Sequence, residues 1–216
     1  MIARIVEPEY LDELPHDHPD AVRSRGDLAL INSIMGNHRW IANQVRKLWR
    51  PGWRILELGA GDGRLARSII TAGIVPANLY RAIDLGPQPV EWPHGAIWQQ
   101  GNIFDSSVLK DVDIVIANLF LHHFDPDQLA ILGDRIRSNA RCMIASEPAR
   151  RRAHELQGAL LVGLADLNWI TGHDMITSIR AGFHGDELAQ HLGMNGWHNA
   201  TSMTWHGAYR ITSLKP

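Results

Sequence analysis

ILELGAGDGRLA, residues 55–66, joins a short apolar run to a glycine-rich turn and then to a helical pattern. Gly59, Gly61 and Gly63 stand at alternate positions of that turn. Glycine suits such a corner because it bends tightly and lets a ligand come close to the backbone. A strand that runs through glycines into a helix is the ligand-binding corner of a doubly wound sheet. The dinucleotide fingerprint GxGxxG would need glycine at 64, where this chain has Arg64.

Outward from this corner, strands and helices alternate. RILEL (54–58) is the first strand, and the helix from Arg64 to about Ala72 closes at Gly73. Leu79–Leu85, Ala96–Gln99, Val112–Ala117 and Cys142–Ser146 read as four more strands. The unbroken apolar run VDIVIA suits a strand covered on both faces. Asp125 and Pro126 open a helix that runs to Ser138. A long helix is expected over Ala149–Leu167 and a short one over Asp186–Leu192. Trp197–Trp205 and Tyr209–Leu214 flank Gly207 as a terminal hairpin. The pattern predicts an α/β fold: a doubly wound, seven-stranded, mostly parallel sheet with a C-terminal antiparallel hairpin. Ligands of such sheets bind at the carboxyl ends of the strands. Residues 7–20 read as an irregular arm, and 27–49 as a helical region broken at Gly36-Asn37. The expected division is an N-terminal arm and helical lid over 1–50 and a ligand-binding core over 51–216.

Composition narrows the class. The 216 residues are 45% hydrophobic and 20% charged, which excludes collagen-like and disordered chains. A net charge of -2 argues against a nucleic-acid binder. Cys142 is the single cysteine, so neither an intramolecular disulfide nor a cysteine metal cluster can form. The N-terminal MIARIVEPEYLDELP lacks the apolar stretch of a signal peptide, and ALLVGLA (159–165) is far short of a membrane span. The chain reads as cytoplasmic, with no membrane partner. Eight tryptophans and twelve histidines suggest an aromatic-lined cavity, with Trp40, Trp169 and Trp197 as candidates.

Charge separates the ligands that the glycine corner can hold. Glu57 ends the first strand and Asp62 lies inside the turn, and two carboxylates repel a pyrophosphate. They suit a nucleoside that carries an ammonium and a sulfonium, as S-adenosylmethionine does. The alternative is that they are a strand-end charge and a helix cap. Asp84, at the end of the second strand, can accept two ribose hydroxyls, a feature shared with nicotinamide cofactors.

These segments resemble class I S-adenosylmethionine-dependent methyltransferases. LELGAGDG is similar to that family's first motif, AIDL (82–85) to its second strand end, QGNIFD (100–105) to the segment beside adenine, and DIVIANLFLHHF (113–124) to its fourth-strand motif. The resemblance covers about residues 51–216. It implies a cofactor site of Glu57, Gly59, Ala60, Gly61, Asp84, Leu85, Asn102, Ile103 and Asn118. Between strands two and three the family has a helix, where this chain has GPQPVEWPHG (86–95), rich in proline and glycine. RGDLALINSIMGNHR (25–39) and TGHDMITSIRAGF (171–183) resemble a bacterial branch of small-molecule enzymes akin to the quinone-biosynthesis type and associated with polyketide pathways. That branch implies a phenolic or polyketide-like acceptor, methylated at oxygen or at an activated carbon.

An oxygen acceptor benefits from a base, and histidine suits that role near neutral pH. His122, at the end of the fourth strand, and His173, next to Asp174, are the candidates, and His184 is a weaker one. No metal is expected: His16-Asp17-His18 lies in the arm, and the adjacent His122 and His123 should diverge. Arg150, Arg151 and Arg152 read as a solvated run. Arg23, Arg25 and Arg39 are candidates for the cofactor carboxylate. The lid region has an alternative reading as a helix against the sheet edge or against a partner subunit of a homodimer. The rival functions are a nicotinamide-dependent oxidoreductase and a non-catalytic cofactor-binding partner protein.

Overall fold

The computed structural model describes residues 3–15, 18–105, 108–165 and 167–216. Seven strands form one sheet: β1 (Ile55–Leu58), β2 (Tyr80–Asp84), β3 (Ile97–Gln100), β4 (Ile114–Asn118), β5 (Cys142–Pro148), β6 (His198–Met203) and β7 (Ala208–Leu214). Their order is β3-β2-β1-β4-β5-β7-β6. The first five are parallel, and β7 runs antiparallel between β5 and β6. The doubly wound sheet and its closing hairpin are as the sequence implies.

Helices cover both faces. α3 (Asn37–Leu48) and α4 (Arg64–Thr71) bury Ile41, Val45, Leu65 and Ile69 against Ile55, Tyr80, Ile114 and Ile116. On the opposite face α5 (Pro126–Asn139) and α8 (Glu187–His191) bring Leu129, Leu132 and Leu188 against Leu56, Leu58, Val115 and Met143. Side chains alternate across a strand, so a sheet covered twice needs apolar residues at every position. Asp125 caps α5 in a reciprocal box with Gln128, as the Asp-Pro start implies.

The N-terminal region is more structured than expected. α1 (Tyr10–Glu13) interrupts the arm, and α2 (Pro19–Met35) begins well before Asp27. Gly36, at φ +66°, separates α2 from α3 at the expected break. Two further elements differ. β5 runs on to Pro148 because it pairs with β7 along its whole length, so the next helix, α6 (Arg152–Ala165), starts late. α7 (Trp169–Ala181) was not expected as a helix. Its β-branched residues and Gly172 lower helix propensity, and packing against α6, α1 and α2 makes up for that.

No helix stands between β2 and β3. Trp92 covers that part of the sheet instead, edge-on to Trp98 at 5.0 Å and bonded to the Ala96 carbonyl at 3.0 Å. Arg150 is buried and paired with Glu187 and the Gly182 carbonyl, so it is a structural strut and not part of a solvated run. Among the described residues no helix is long and apolar enough to cross a membrane.

The glycine corner carries a packing constraint as well as a bend. Gly59 has φ +63°, and a Cβ there would lie 2.1 Å from the Phe120 ring. Gly59→Ala should therefore lose about 1–2 kcal/mol from backbone conformation alone, plus the cost of moving Phe120. At roughly 2–4 °C per kcal/mol for a chain of this size, thermal unfolding should shift down by several degrees. An unchanged midpoint would show that the ring yields freely.

Candidate functional site

The carboxyl ends of β1, β2 and β4 open onto a cavity of about 930 Å³. Ligand sites are usually about 300–1,000 Å³, so this one has room for a nucleoside-sized cofactor and a second molecule. Strand register explains its polar wall. Glu57 pairs with Ala82 and Ile116, so Glu57, Asp84 and Asn118 project from the same face of the sheet. All three line the cavity, together with Gly59, Ala60 and Gly61.

Glu57 is 2% exposed and accepts a hydrogen bond from Tyr80 Oη at 2.7 Å. Burial, with Asp84 and Asp62 nearby, pushes its carboxyl up to about 8 against the opposing pull of that bond. Asp84 accepts the Gly61 and Gly86 amides, both at 2.8 Å. Asp62 takes the capping role: it accepts the Arg64 amide and pairs with Arg64 Nε at 2.7 Å. The two acids thus part company, with Asp62 paired to Arg64 at the helix start and Glu57 buried against the cavity. Asn118 donates to Asn32 Oδ1 at 2.9 Å, while its own Oδ1 is buried without a partner. Asn32 Oδ1 also accepts from Asn37, and Asn37 accepts from Ser146 Oγ at 3.0 Å. This chain of side chains ties α2 and α3 to the ends of β4 and β5, and nothing in residue type or spacing marks it.

The glycine amides are already used. Gly59 donates to the Ile83 carbonyl, Gly61 to Asp84 and Gly63 to the Ala60 carbonyl. A loop that cradles a phosphate turns such amides toward the ligand, and these three do not.

Three of the expected cofactor residues do not line the cavity. Leu85 is 74% exposed, Ile103 is packed into the core, and Asn102 is turned back to accept the Phe104 amide. Of the arginines, Arg25 lines the cavity, while Arg23 and Arg39 are exposed outside its wall. Trp40 lies over Arg210, Trp169 is 63% exposed against Tyr10, and Trp197 packs on the core. Trp205, in the terminal hairpin, is the tryptophan that reaches the cavity.

The second end of the cavity is built on a 3-10 turn, Leu121–His123, directly after β4. Glu147, fully buried at the end of β5, accepts the amides of Phe120, Leu121 and His122. It also bonds His122 Nδ1 at 2.8 Å. His122 Nε2 faces Glu9 of the arm at 3.4 Å. Burial alone would lower the His122 imidazole, but its hydrogen bonds to Glu147 and Glu9 outweigh that and raise it to about 9. Burial also opposes ionisation of Glu9, yet His122, His123 and Ser178 hold it down to about 2. The expectation that His122 and His123 diverge fails: the turn stacks their rings at 4.2 Å, and both line the cavity. His173 stands outside the wall, stacked on Tyr10 at 4.3 Å with Nδ1 on Asp174. His184 is also outside it. His16 and Asp17 lie outside the described residues. Cys142 is buried in β5 and its thiol is pushed up to about 12 by burial, so it is an inert core thiol.

No protein-family model matches the sequence, and no curated protein matches it. Solved structures do match in fold. The plantazolicin methyltransferase BpumL, in complex with a triazolic desmethylPZN analog and SAH, aligns with TM-score 0.72 and 11% identity, over 95% of this chain and 93% of that one. Human N-acetylserotonin methyltransferase in complex with SAM aligns with TM-score 0.61 and 17% identity, over 97% of this chain. The pyocyanin biosynthetic protein PhzM aligns with TM-score 0.59 and 16% identity, over 96% of this chain. The chain spans 63% and 61% of the length of the latter two. The fold is the Rossmann-like fold of class I methyltransferases.

The buried acid gives a pH signature. A carboxyl raised to about 8 in the fold binds more protons folded than unfolded between its ordinary 4.5 and 8. Its contribution to stability is therefore present below pH 4.5 and is lost as pH rises through 8, with a slope of up to about 1.4 kcal/mol per pH unit. Thermal unfolding should show a midpoint falling between pH 5.5 and 8.5. In Glu57→Gln that fall should be shallower, and equal slopes in the two proteins would rule out the assignment.

Proposed function

We propose that the chain is an S-adenosylmethionine-dependent methyltransferase acting on an oxygen, or an activated carbon, of a small aromatic or polyketide-like metabolite. The observation that carries this reading is the wall of acceptors at the strand ends. Glu57, Asp84 and the unpartnered Asn118 Oδ1 share one face, around a glycine turn whose glycine amides are already satisfied. Such a wall favours a cation over a pyrophosphate. In this reading Glu57 and Asn118 receive the methionine ammonium, Asp84 the ribose, and Gly59, Ala60 and Gly61 leave room for the backbone approach. Arg25 and Arg64 are the cations at hand for the cofactor carboxylate.

The N-terminal segment, 1–50, is proposed to act as more than a lid. α2 roofs the cavity, whereas α3 is a layer of the sheet packing. The acceptor belongs beyond the cofactor, between the His122 turn, α2 and α7, where the wall turns apolar with Leu28, Leu161 and Met175. His122, held charged near neutral pH by Glu147 and Glu9, is the candidate to hold the acceptor oxygen by donating to it, and His173 is not placed to do so.

A screen of phenolic and polyketide-like metabolites with methyl-labelled cofactor tests the reading directly, with label transfer expected. Stabilisation by NAD and none by S-adenosylhomocysteine would contradict it. His122→Ala should lower turnover by roughly 10²–10³-fold, the scale of losing one preorganised donor, while His173→Ala should leave it near wild type. Gly61→Ala meets no neighbour within 4 Å, and its φ of +54° costs only about 1–2 kcal/mol. It should fold but bind S-adenosylhomocysteine more weakly, because its Cβ enters the cofactor space.

A further inference from the structure

Three side chains with metal-ligating atoms converge at the acceptor end of the cavity: Glu9 from the arm, and His122 and His123 from the turn after β4, with Asp12 beside His123. One ligand atom each from Glu9, His122 and His123 lies within 4.8 Å of the others. His122 Nε2 is 3.4 Å from Glu9 Oε1, and His123 Nδ1 is 3.3 Å from Asp12 Oδ2. A charge-assisted hydrogen bond is shorter, about 2.7–2.9 Å. Two ligands on one tetrahedral ion, each at about 2.0–2.1 Å, stand roughly 3.3–3.4 Å apart.

The surroundings are built to match. A metal-binding histidine almost always holds a carboxylate with its other nitrogen, which fixes the tautomer. His122 does this: Nδ1 is on Glu147, and Glu147 is itself anchored by three backbone amides. The arm is pinned as well. Buried Asp174 accepts the Tyr10 and Leu11 amides, both at 3.0 Å, and so holds Glu9 and Asp12 facing the two imidazoles. The stacking of His122 on His123 brings two neighbouring residues to one point, which neither a regular strand nor a helix would do.

We propose that Glu9, His122 and His123 bind one divalent transition-metal ion of the zinc class, with the fourth position open. Imidazole and carboxylate donors without thiolate suit that class. The site faces the cavity, so an ion there would also hold an oxygen of the acceptor; this consequence alone rests on the methyltransferase reading.

The test is titration of the chelator-treated full-length chain with Zn²⁺ by calorimetry, and with Co²⁺ by visible absorption. One equivalent should bind, with the intense bands of tetrahedral cobalt. His123→Ala and Glu9→Gln, checked for folding by circular dichroism, should each weaken binding by at least about 10-fold, and Glu147→Gln by about 10–100-fold. If Glu147→Gln does not fold, the other two variants decide. Absence of saturable binding at one equivalent overturns the proposal. So does wild-type binding in both His123→Ala and Glu9→Gln, which would mark an adventitious ion on other histidines. Titration of the same samples with S-adenosylhomocysteine reads the opposite end of the cavity. Cofactor binding without zinc sinks the metal site alone, and zinc binding without cofactor sinks the methyltransferase reading alone.

Discussion

A carboxyl group at the tip of a buried parallel strand is the constraint on which the rest of this structure turns. Removing Glu57 from water is costly unless something compensates. In the fold as it stands the compensation is partial: one hydrogen bond from Tyr80 and retention of a proton well above the usual carboxylate range. On the Glu57 face of the sheet the neighbouring strands add no cation. They supply further acceptors, Asp84 and Asn118, on the same side. A wall of this kind favours a positively charged guest over an anion. The glycine turn above it provides the approach but no amide cradle for an anion.

The second organising group is Glu147. It sits where β5 ends and gathers the backbone of the turn that follows β4, so two strands fix one loop. That loop in turn presents His122 to Glu9. The N-terminal arm, far away in sequence, is held to the same spot through Asp174 and through Arg4, whose guanidinium donates to the His122 and Phe124 carbonyls. The two ends of the cavity therefore have different architects. The strand-end wall is made by strand register, and the histidine end by long-range contacts between the arm, α7 and the turn.

That difference explains what could be read in advance. The seven strands, the glycine corner and the absence of a helix between β2 and β3 follow from local periodicity and from proline and glycine, which act over a few residues. Glu57 and Asp84 were legible because each lies at the carboxyl end of a strand, and such ends share one edge of a parallel sheet, whereas Asn118 was implied by the resemblance alone. Leu85, Asn102 and Ile103 are adjacent to such ends, yet side-chain direction carries them away from the cavity. Glu147, Glu9 and the Asn118–Asn32–Asn37–Ser146 chain were not legible. Glu147 lies 25 positions from His122, Asn118 86 from Asn32 and Ser146 109 from Asn37, and no spacing rule encodes such pairs. α7 was missed for a related reason: its helicity comes from packing and not from its residues. The divergence expected of His122 and His123 assumed regular structure, and a 3-10 turn replaced it.

The central claim is that Glu57 gives up its proton to meet the ammonium of the proposed cofactor. Calorimetric titration with S-adenosylhomocysteine at pH 7, repeated in buffers of different ionisation enthalpy, measures this directly. The account predicts proton release on binding by the wild type, and weaker binding without that release by Glu57→Gln. Equal affinity in the two proteins, with no dependence of the heat on buffer, would contradict it.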